Sequence, residues 1–387
     1  MTLLPAALVL AEAALRGAGV LLYLRRLALP AVAAEGRVVL LLPLSGRAPG
    51  LEALFAALAA QTLRPHRLIV AVEAAEDPAH ARAAALAPLL PCPLELVIAG
   101  RHDGRGQKNT NLIAALGRLA PEDQVVVLLD ADIRPPPWWL SALATPVLRG
   151  EADLITGYRW PLPEGLVGAF WAALDRGFAL LPKPAAFGFV WAGSLAMSPA
   201  AVARMGLARR LAATLSDDLT IGAAATALGL RVLHRRALLL PSPAEGPPRA
   251  QLGFARRQVQ MLRLYRPGWW ALGAAGAVLS LAAWLALAAQ AAAGGSAALA
   301  AAGAGAAIGL LRWQGQRRVA ARLGLPADPP AAAAAQAVLA ALPPLLAAYA
   351  LGLFLATLRV RRIHWRHVDY AVAGPAAVSV VARRPAA

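Results

Sequence analysis

Two long apolar regions, one at each end of the chain, dominate the pattern of hydrophobic and polar positions. The first runs from Leu3 to Leu24 and is interrupted only by Glu12 and Arg16, and about 20 residues suffice for a helix to span a bilayer. Glu12 and Arg16 stand four residues apart, so they share one helix face and can neutralise each other. We predict a membrane-spanning helix rather than a signal peptide, because no basic segment follows Met1 and no small-residue cleavage site is evident.

The second apolar region lies towards the C-terminus. Residues 269–311 contain no charged side chain, and their length predicts two spans with a turn at residues 294–296. Residues 329–358 are also free of charge and contain Pro343-Pro344 near their middle, so they predict a third span or a re-entrant hairpin. A single span would leave the subsequent arginines outside the cell, against the positive-inside rule, whereas a hairpin would keep them inside.

Hydropathy divides the chain into four predicted segments. Residues 1–34 are predicted to form an N-terminal transmembrane helix with its basic flank, and Arg25-Arg26 places the next segment in the cytoplasm. Residues 35–268 are predicted to be a cytoplasmic domain that ends in a membrane-adjacent helix. Residues 269–358 are predicted to form the C-terminal transmembrane region, and residues 359–387 a basic C-terminal tail.

Between the apolar ends, short hydrophobic runs alternate with segments of helical periodicity. The predicted strands are residues 37–44, 67–72, 94–99 and 124–129, and the predicted helices are residues 49–60, 78–90 and 109–119. This alternation predicts an α/β domain with a mostly parallel sheet. Ligands of such sheets bind beyond the C-terminal ends of the strands, which is where Asp77, Asp130 and Asp132 fall.

Composition and charge indicate a partner for this domain. Hydrophobic residues make up 59% of the chain and charged residues 15%, against about 25% charged in soluble proteins, which argues against an ordinary cytosolic enzyme. The net charge is +17, and residues 204–266 hold eleven arginines but three acids. An anionic membrane surface explains this basic region; nucleic acid is not expected, because no nucleic-acid-binding module accompanies it. The single cysteine, Cys92, excludes a disulfide framework and a cysteine-based metal site.

The first candidate for chemistry is the D-x-D formed by Asp130 and Asp132. Directly after a buried strand, two carboxylates can hold a hard divalent ion and leave positions open for phosphate oxygens. Bound to a nucleotide diphosphate, such an ion would neutralise the charge that develops when a sugar departs. The alternative interpretation is a solvated turn, in which Asp is common.

The second candidate comes from residue usage. The chain contains two lysines and two asparagines, and three of these four residues lie within Lys108 to Asn111. A lysine is a compact point charge for phosphate, and an asparagine can bind a base or ribose edge, so we expect a donor-binding role. The alternative interpretation is a helix N-cap at Asn109.

The third candidate is Ser216-Asp217-Asp218 at the start of a helical run. One of these carboxylates could act as the general base for an acceptor hydroxyl, although helix capping could also explain an acid here. The six histidines form no metal-ligand pattern, and there is no nucleophile elbow, Walker loop or dinucleotide fingerprint. Hydrolase, ATPase and dehydrogenase functions therefore have no support.

Together these motifs resemble the membrane-bound glycosyltransferases of families 2 and 21, in particular those of the ceramide glucosyltransferase type and their bacterial, hopanoid-associated relatives. The resemblance covers about residues 38–270. Residues 73–79 (EAAEDPA) are similar to the first-aspartate motif, with Asp77 as the aspartate, and residues 108–112 (KNTNL) to a K-x-x-N-L segment. Residues 130–132 are similar to the D-x-D motif, residues 216–218 to the motif whose last acid is the catalytic base, and residues 193–197 to a stretch near the acceptor pocket.

The resemblance implies a glycosyltransferase-A fold flanked by transmembrane helices, and an inverting hexosyltransferase of glycolipid biosynthesis. The donor would be a UDP-sugar and the acceptor a membrane lipid, such as a ceramide-like lipid, a hopanoid or another lipid alcohol. Asp218 is implied as the catalytic base, and Mg²⁺ or Mn²⁺ as a cofactor on Asp130 and Asp132. The implied nucleotide-sugar-binding residues are Asp77, Lys108, Asn111 and Asp130. The location implied is the bacterial inner membrane, with a multi-pass chain and a cytoplasmic catalytic domain.

The family's fourth motif, Q/R-x-x-R-W, is altered in this chain. Residues 257–261 (RQVQM) carry Gln and Met where Arg and Trp belong, and a shift of three residues restores an arginine, Arg263, but no tryptophan. Since the motif lies on an interfacial helix that lines the acceptor site, the resemblance implies acceptor or diphosphate roles for Arg257, Gln258 and Arg263. Two alternatives stay open: a processive membrane polysaccharide synthase of the same superfamily, and a non-catalytic membrane scaffold.

Overall fold

The structure is a computed structural model, and it describes residues 3–28, 34–183, 187–243 and 246–385. The chain forms two compact units, each assembled from three stretches of sequence. The helical unit comprises Met1–Leu27, Trp160–Pro182 and Pro243–Val360. The α/β unit comprises Ala28–Arg159, Lys183–Ser242 and Arg361–Ala387.

A seven-stranded sheet forms the core of the α/β unit. Its strands are β1 Val38–Pro43, β2 Arg67–Val72, β3 Leu94–Ile98, β4 Val125–Leu129, β5 Leu154–Leu162, β6 Ser194–Met197 and β7 Val232–Pro243. They lie in the order β3-β2-β1-β4-β6-β5-β7. Strands β1 to β4 are parallel, with Leu41 of β1 paired to Ile69 and Leu128, whereas β6 runs antiparallel to both β4 and β5.

Both faces of β1, β2 and β4 are covered, which explains their continuous hydrophobic sequences. Successive residues of β1 enter two different cores: Leu40 packs in the first and Leu41 in the second. The helices of this unit are α2 Leu51–Ala59, α3 Pro78–Leu86, α4 Gln107–Leu116, α5 Trp139–Leu148, α7 Pro199–Met205, α8 Leu207–Leu211 and α9 Asp217–Ala227, with a 3-10 turn at Ala87–Leu89. The predicted fold class, α/β with a mostly parallel sheet and flanking membrane-type helices, is confirmed.

The segment predicted as a basic tail forms a second, three-stranded antiparallel sheet within the α/β unit. Its strands are β8 Arg362–Trp365, β9 Val368–Gly374 and β10 Ala377–Arg383, in the order β10-β9-β8. We call it the C-terminal sheet. Alternate residues of β9, namely Val368, Tyr370 and Val372, are buried, as expected of a strand with one covered face.

The helical unit contains α1 Leu4–Arg25, α6 Gly165–Ala179, α10 Pro248–Tyr265, α11 Pro267–Ala292, α12 Ser296–Arg322, α13 Pro330–Ala341 and α14 Pro343–Leu355. Within the described part of the chain, α1, α11 and α12 are long and apolar enough to cross a membrane. Helices α13 and α14 are together apolar enough as well, but they meet at an angle of 96°. The bend falls where Pro343 begins α14. A proline inside a helix has no N–H to donate, and its ring clashes with the preceding turn.

Polar contacts join the helices of this unit. Glu12 forms the expected ion pair with Arg16 at 2.6 Å and also accepts a hydrogen bond from Ser280 of α11. Arg176 of α6 forms a two-pronged ion pair with Asp328, with N–O distances of 2.6 and 2.7 Å. Hydropathy predicts a boundary between the cytoplasmic domain and the membrane region at residue 268. The contacts within the structure instead group residues 160–182 and 243–268 with the apolar helices.

Candidate active site

The D-x-D follows β4 directly, at the C-terminal edge of the parallel strands. Two glycines allow other segments to approach it closely. A Cβ atom at Gly193 would lie 2.6 Å from Oδ2 of Asp130 and 2.4 Å from the Trp191 ring, and one at Gly50 would lie 2.8 Å from the carbonyl oxygen of Ala131. Real Cβ atoms do not occur at such distances, so both positions require glycine.

Lys108 links this segment to a third part of the chain. Its Nζ lies 2.7 Å from Oδ1 of Asp130 and 2.9 Å from Oδ2 of Asp217. Burial lowers the pKa of Lys108, but the charges of Asp130, Asp217 and Asp218 outweigh burial and raise the pKa well above its usual value. The amine therefore stays protonated and serves as the counter-charge for three carboxylates.

Asp217 and Asp218 begin α9, but neither acts as its cap. The hydroxyl of Ser216 accepts the capping hydrogen bond from the amide of Leu219. Asp217 is 2% exposed and pairs with Lys108, whereas Oδ1 of Asp218 accepts a hydrogen bond of 2.6 Å from the amide of Ala192. Helix capping therefore does not account for the two acids.

The environment of Asp218 shifts its protonation towards neutral pH. Burial and the charge of Asp217 raise its pKa to about 7, although Lys108 and the Ala192 amide oppose this rise. A carboxylate with a pKa near the working pH can accept a proton efficiently during a reaction. Asp130, Lys108, Asp217 and Asp218 thus form one cluster at the sheet edge, which we call the acid–lysine cluster.

The two asparagines lie in the first two turns of α4, and their side chains bind backbone carbonyl groups of strands and loops. Nδ2 of Asn111 donates to the carbonyl oxygens of Leu44 and Ala71, just past β1 and within β2, and Nδ2 of Asn109 donates to that of Thr214. The N-cap of α4 is Gly106, so Asn109 is not a helix cap. The donor-binding role of Asn111 stays a prediction.

Asp77 lies where the sequence places it, after β2 and at the start of α3. Its Oδ1 accepts hydrogen bonds from the amides of Gly46 and Ala79, at 2.8 and 2.9 Å. Its Oδ2 is buried and accepts no hydrogen bond from the part of the chain that the structure describes. A buried acceptor of this kind is costly unless another group donates to it, so Asp77 can accept an N–H or O–H from a ligand.

The predicted residues of the fourth motif all lie on α10, in the helical unit. Arg263 donates to the carbonyl oxygens of Leu358 and Val360, at 2.6 and 3.1 Å. The guanidinium of Arg257 lies 5.1 Å from the ring centre of Phe254, and Gln258 is half-buried. The acceptor and diphosphate roles of these three residues stay predictions.

Sequence reasoning missed several residues at the same sheet edge. Glu73, which follows β2, is 4% exposed and binds Arg101, His367 and Arg383. Gln107, the first residue of α4, binds Tyr370 and Arg383. The alternation of apolar residues along 368–372 was the available signal for the strand that carries Tyr370, but a basic C-terminal stretch obscured it.

The cluster also bears on metal binding. Among the residues described, no group of three or more histidines, cysteines, aspartates or glutamates could hold a metal ion by itself. Asp130 and Asp132 offer hard carboxylate oxygens, and Mg²⁺ typically takes one or two carboxylates while water and substrate phosphates complete its shell. The donor set therefore fits an ion that arrives with a diphosphate.

The fold and the cluster define an α/β enzyme equipped with membrane-type helices. The sequence model of glycosyl transferase family 21 matches residues 7–377. The chain therefore belongs to glycosyl transferase family 21. It is a hexosyltransferase, as predicted.

Solved structures give weaker likenesses. A mannosyltransferase from Pyrobaculum calidifontis, in complex with GDP-mannose and Mn²⁺, is 20% identical, with 87% of this chain and 98% of that chain covered and a TM-score of 0.48. Glucosyl-3-phosphoglycerate synthase from Mycobacterium tuberculosis, in complex with Mn²⁺ and UDP-glucose, is 17% identical over 59% of this chain and 78% of that chain, with a TM-score of 0.39. No curated protein sequence matches the chain. The family assignment thus rests on the match over residues 7–377.

Proposed function

We propose that the protein is an inverting glycosyltransferase that moves one hexose from a UDP-sugar to the hydroxyl group of a membrane lipid. The observation that carries this proposal is the acid–lysine cluster, in which one carboxylate, Asp218, has a pKa raised to about 7 beside a lysine-bridged pair. A single displacement needs one base and no carboxylate nucleophile. The lipid acceptor is expected from the family and from the three membrane-type helices.

In the proposed step, the acceptor oxygen forms a bond to the anomeric carbon while the bond from that carbon to the UDP oxygen breaks and UDP leaves with the electron pair. Asp218 accepts the proton of the acceptor hydroxyl. The amide of Ala192 holds Oδ1 of Asp218, so Oδ2 is the atom that we assign to the proton transfer. Attack from the face opposite the leaving group inverts the anomeric carbon.

Lys108 and the D-x-D would serve the leaving group. Asp130 and Asp132 would hold Mg²⁺ or Mn²⁺, which when bound neutralises charge on the departing diphosphate. Lys108 reduces the repulsion between Asp130 and Asp217 by lying between them. Without this cation, three neighbouring carboxylates would repel a diphosphate.

Asp77, with its unpaired Oδ2, would accept a hydrogen bond from the uridine part of the donor. Asn111 would act through the backbone, because it holds the ends of β1 and β2 in register next to Asp77. Arg257, Gln258 and Arg263 would serve the acceptor lipid and the diphosphate.

We also propose a location, the bacterial inner membrane with the α/β unit in the cytoplasm. In this proposal the whole α/β unit, which includes Arg361–Ala387, would lie on one side of the bilayer. If α11 crosses the bilayer and α12 crosses back, the chain reaches α13 on the cytoplasmic side. The pair α13–α14 must then enter and leave the bilayer by that same face, because the C-terminal sheet belongs to the α/β unit. The 96° bend supports this re-entrant hairpin, which also keeps the arginines after Leu358 inside.

Single-cysteine labelling tests this topology. In a Cys92→Ser background, Ser296→Cys at the first residue of α12 should react with a membrane-impermeant maleimide in spheroplasts. Ser379→Cys in the C-terminal sheet should react only after the membrane is permeabilised. Labelling of Ser379→Cys in sealed spheroplasts would contradict the hairpin.

The activity is tested with membranes that contain the full-length protein and a panel of radiolabelled UDP-sugars. We expect radiolabel in the organic phase as a product with one added sugar. Asp218→Asn should lower turnover by about 10²–10⁴-fold, the usual effect of losing a general base, while UDP binding persists. Asp103→Asn, the same change at an exposed position, is the matched control. A ladder of products would favour a polysaccharide synthase, and no turnover with any lipid extract would favour a scaffold.

A further inference from the structure

The C-terminal sheet contacts the catalytic edge of the main sheet through buried polar groups. Nε2 of His367 lies 2.8 Å from Oε2 of Glu73, and its Nδ1 lies 3.3 Å from the hydroxyl of Ser45. Glu73 follows β2 and Ser45 follows β1. The sheet is therefore fastened where two parallel strands end, which is the edge at which ligands of such sheets bind.

A second set of contacts reaches the first residue of α4. The amide of Gln107 donates to the hydroxyl of Tyr370 at 3.0 Å, and Nη1 of Arg383 donates to Oε1 of Gln107 at 2.9 Å. Nε2 of Gln107 in turn donates to Oδ1 of Asn111. Tyr370 is 2% and Gln107 5% exposed, so water cannot easily replace these partners.

Lys108 is the residue next to Gln107. Its Nζ reaches Asp130 and Asp217, and it can do so only while the first turn of α4 keeps its place. The N-cap residue of α4 does not fix this turn, because Gly106 has no side chain to accept a hydrogen bond from it. The amide of Gln107, one of the four that the first turn of a helix leaves without an intrahelical acceptor, donates instead to the hydroxyl of Tyr370.

We infer that the C-terminal sheet is a positioning element of the donor site: Tyr370 and Arg383 hold Gln107, and thereby keep Lys108 between Asp130 and Asp217. The inference rests on the proposed function for its effect on donor binding. Its structural part, the placement of Lys108, stands independently of the reaction. Tyr370 and Arg383 are positioning residues, since both act through Gln107.

The chain offers an internal probe of this placement, because Lys108 and Lys183 are its two lysines. Brief acetylation with acetic anhydride, read out by mass spectrometry, measures the reactivity of Lys108 relative to Lys183 in the same full-length molecule. Tyr370→Phe removes one hydroxyl and keeps the buried ring. Ser379→Ala, which removes an exposed hydroxyl from the same sheet, is the matched control.

We expect Tyr370→Phe and Arg383→Met to raise the relative reactivity of Lys108 about five- to tenfold, the effect of losing one hydrogen bond. The relative reactivity of Lys108 in Arg383→Lys should lie between its values in Arg383→Met and in the wild-type protein. KM for the UDP-sugar should rise by a similar factor with a smaller change in kcat. Ser379→Ala should match wild type in both measurements.

Two results would overturn the inference: unchanged reactivity of Lys108 in both Tyr370→Phe and Arg383→Met, or an equal rise at Lys183, which would indicate general loosening. The labelling arm also separates this inference from the proposed function. If the wild-type protein transfers no sugar while the variants still expose Lys108, the proposed function fails and the positioning stands. If transfer occurs and labelling does not change, the positioning alone fails.

Discussion

Replacing Lys108 by methionine probes the centre of the acid–lysine cluster. The change removes a cation that lies within 3 Å of two carboxylates, one of them only 2% exposed. Removing one partner of a buried ion pair costs about 3–5 kcal/mol, because the other charge is left without compensation. Since the Lys108 side chain is 20% exposed, we expect the free energy of unfolding to fall by an amount at the lower end of this range, about 3 kcal/mol.

The same change should alter proton transfer. Lys108 lowers the pKa of Asp218, so its removal raises that pKa further above the usual value for an aspartate. A rise of one unit above 7 corresponds to about 1.4 kcal/mol and reduces the ionised fraction at pH 7 from about one half to about one tenth. Activity at neutral pH should fall, and the acid limb of the pH–rate profile should move to higher pH.

Thermal unfolding in detergent and the pH dependence of kcat/KM measure the two effects. Asp217→Asn in the Lys108→Met background removes the buried charge that the first change leaves unpaired, so it should restore most of the lost stability without restoring turnover. Lys183→Met is the control, being the same substitution at the other lysine. Two results would refute the reasoning: a Lys108→Met protein with the same unfolding temperature as wild type, or a Lys108→Met/Asp217→Asn protein no more stable than Lys108→Met alone.

Three further predictions concern other features. In the wild-type enzyme, kcat/KM should fall as the pH drops below about 7, because the base must be ionised and its folded pKa is about 7; a limb near pH 4 would contradict the assignment of Asp218. Gly193→Ala should abolish activity but leave the protein folded, because a Cβ would displace Asp130 or Trp191, whereas Gly253→Ala, with open space around it, should retain activity. Arg176→Met should destabilise the protein by about 3–5 kcal/mol, and Asp328→Asn in that background should recover most of this loss in thermal unfolding.

Much of the α/β unit is predictable from the sequence because its signals are local. Continuous apolar runs mark strands covered on both faces, and the D-x-D is conspicuous because it directly follows the buried strand β4. The predicted start of α4, Asn109, is wrong by two residues. Asn is a common helix cap, but here Gly106 precedes the helix, and a tyrosine hydroxyl from β9 accepts a hydrogen bond from the amide of Gln107.

The missing parts depend on contacts between distant residues. Nothing local shows that Lys108 lies between Asp130 and Asp217, since the three positions span more than 100 residues. The C-terminal sheet escaped prediction because its strands follow a run of arginines and its two edge strands are largely exposed. Only β9, with Val368, Tyr370 and Val372 buried in alternation, carried a strand signal.

The three-stretch composition of the α/β unit imposes an order on its biosynthesis. Residues 361–387 leave the ribosome after α11 to α14, so the partners of Glu73 and Gln107 are translated only once all of these helices have been made. Until then Glu73 lacks His367 and Arg383, and the amide of Gln107 lacks its acceptor. The polar contacts that hold the first turn of α4 therefore form only after the helical unit has been translated, when the end of the chain packs against residues made long before it.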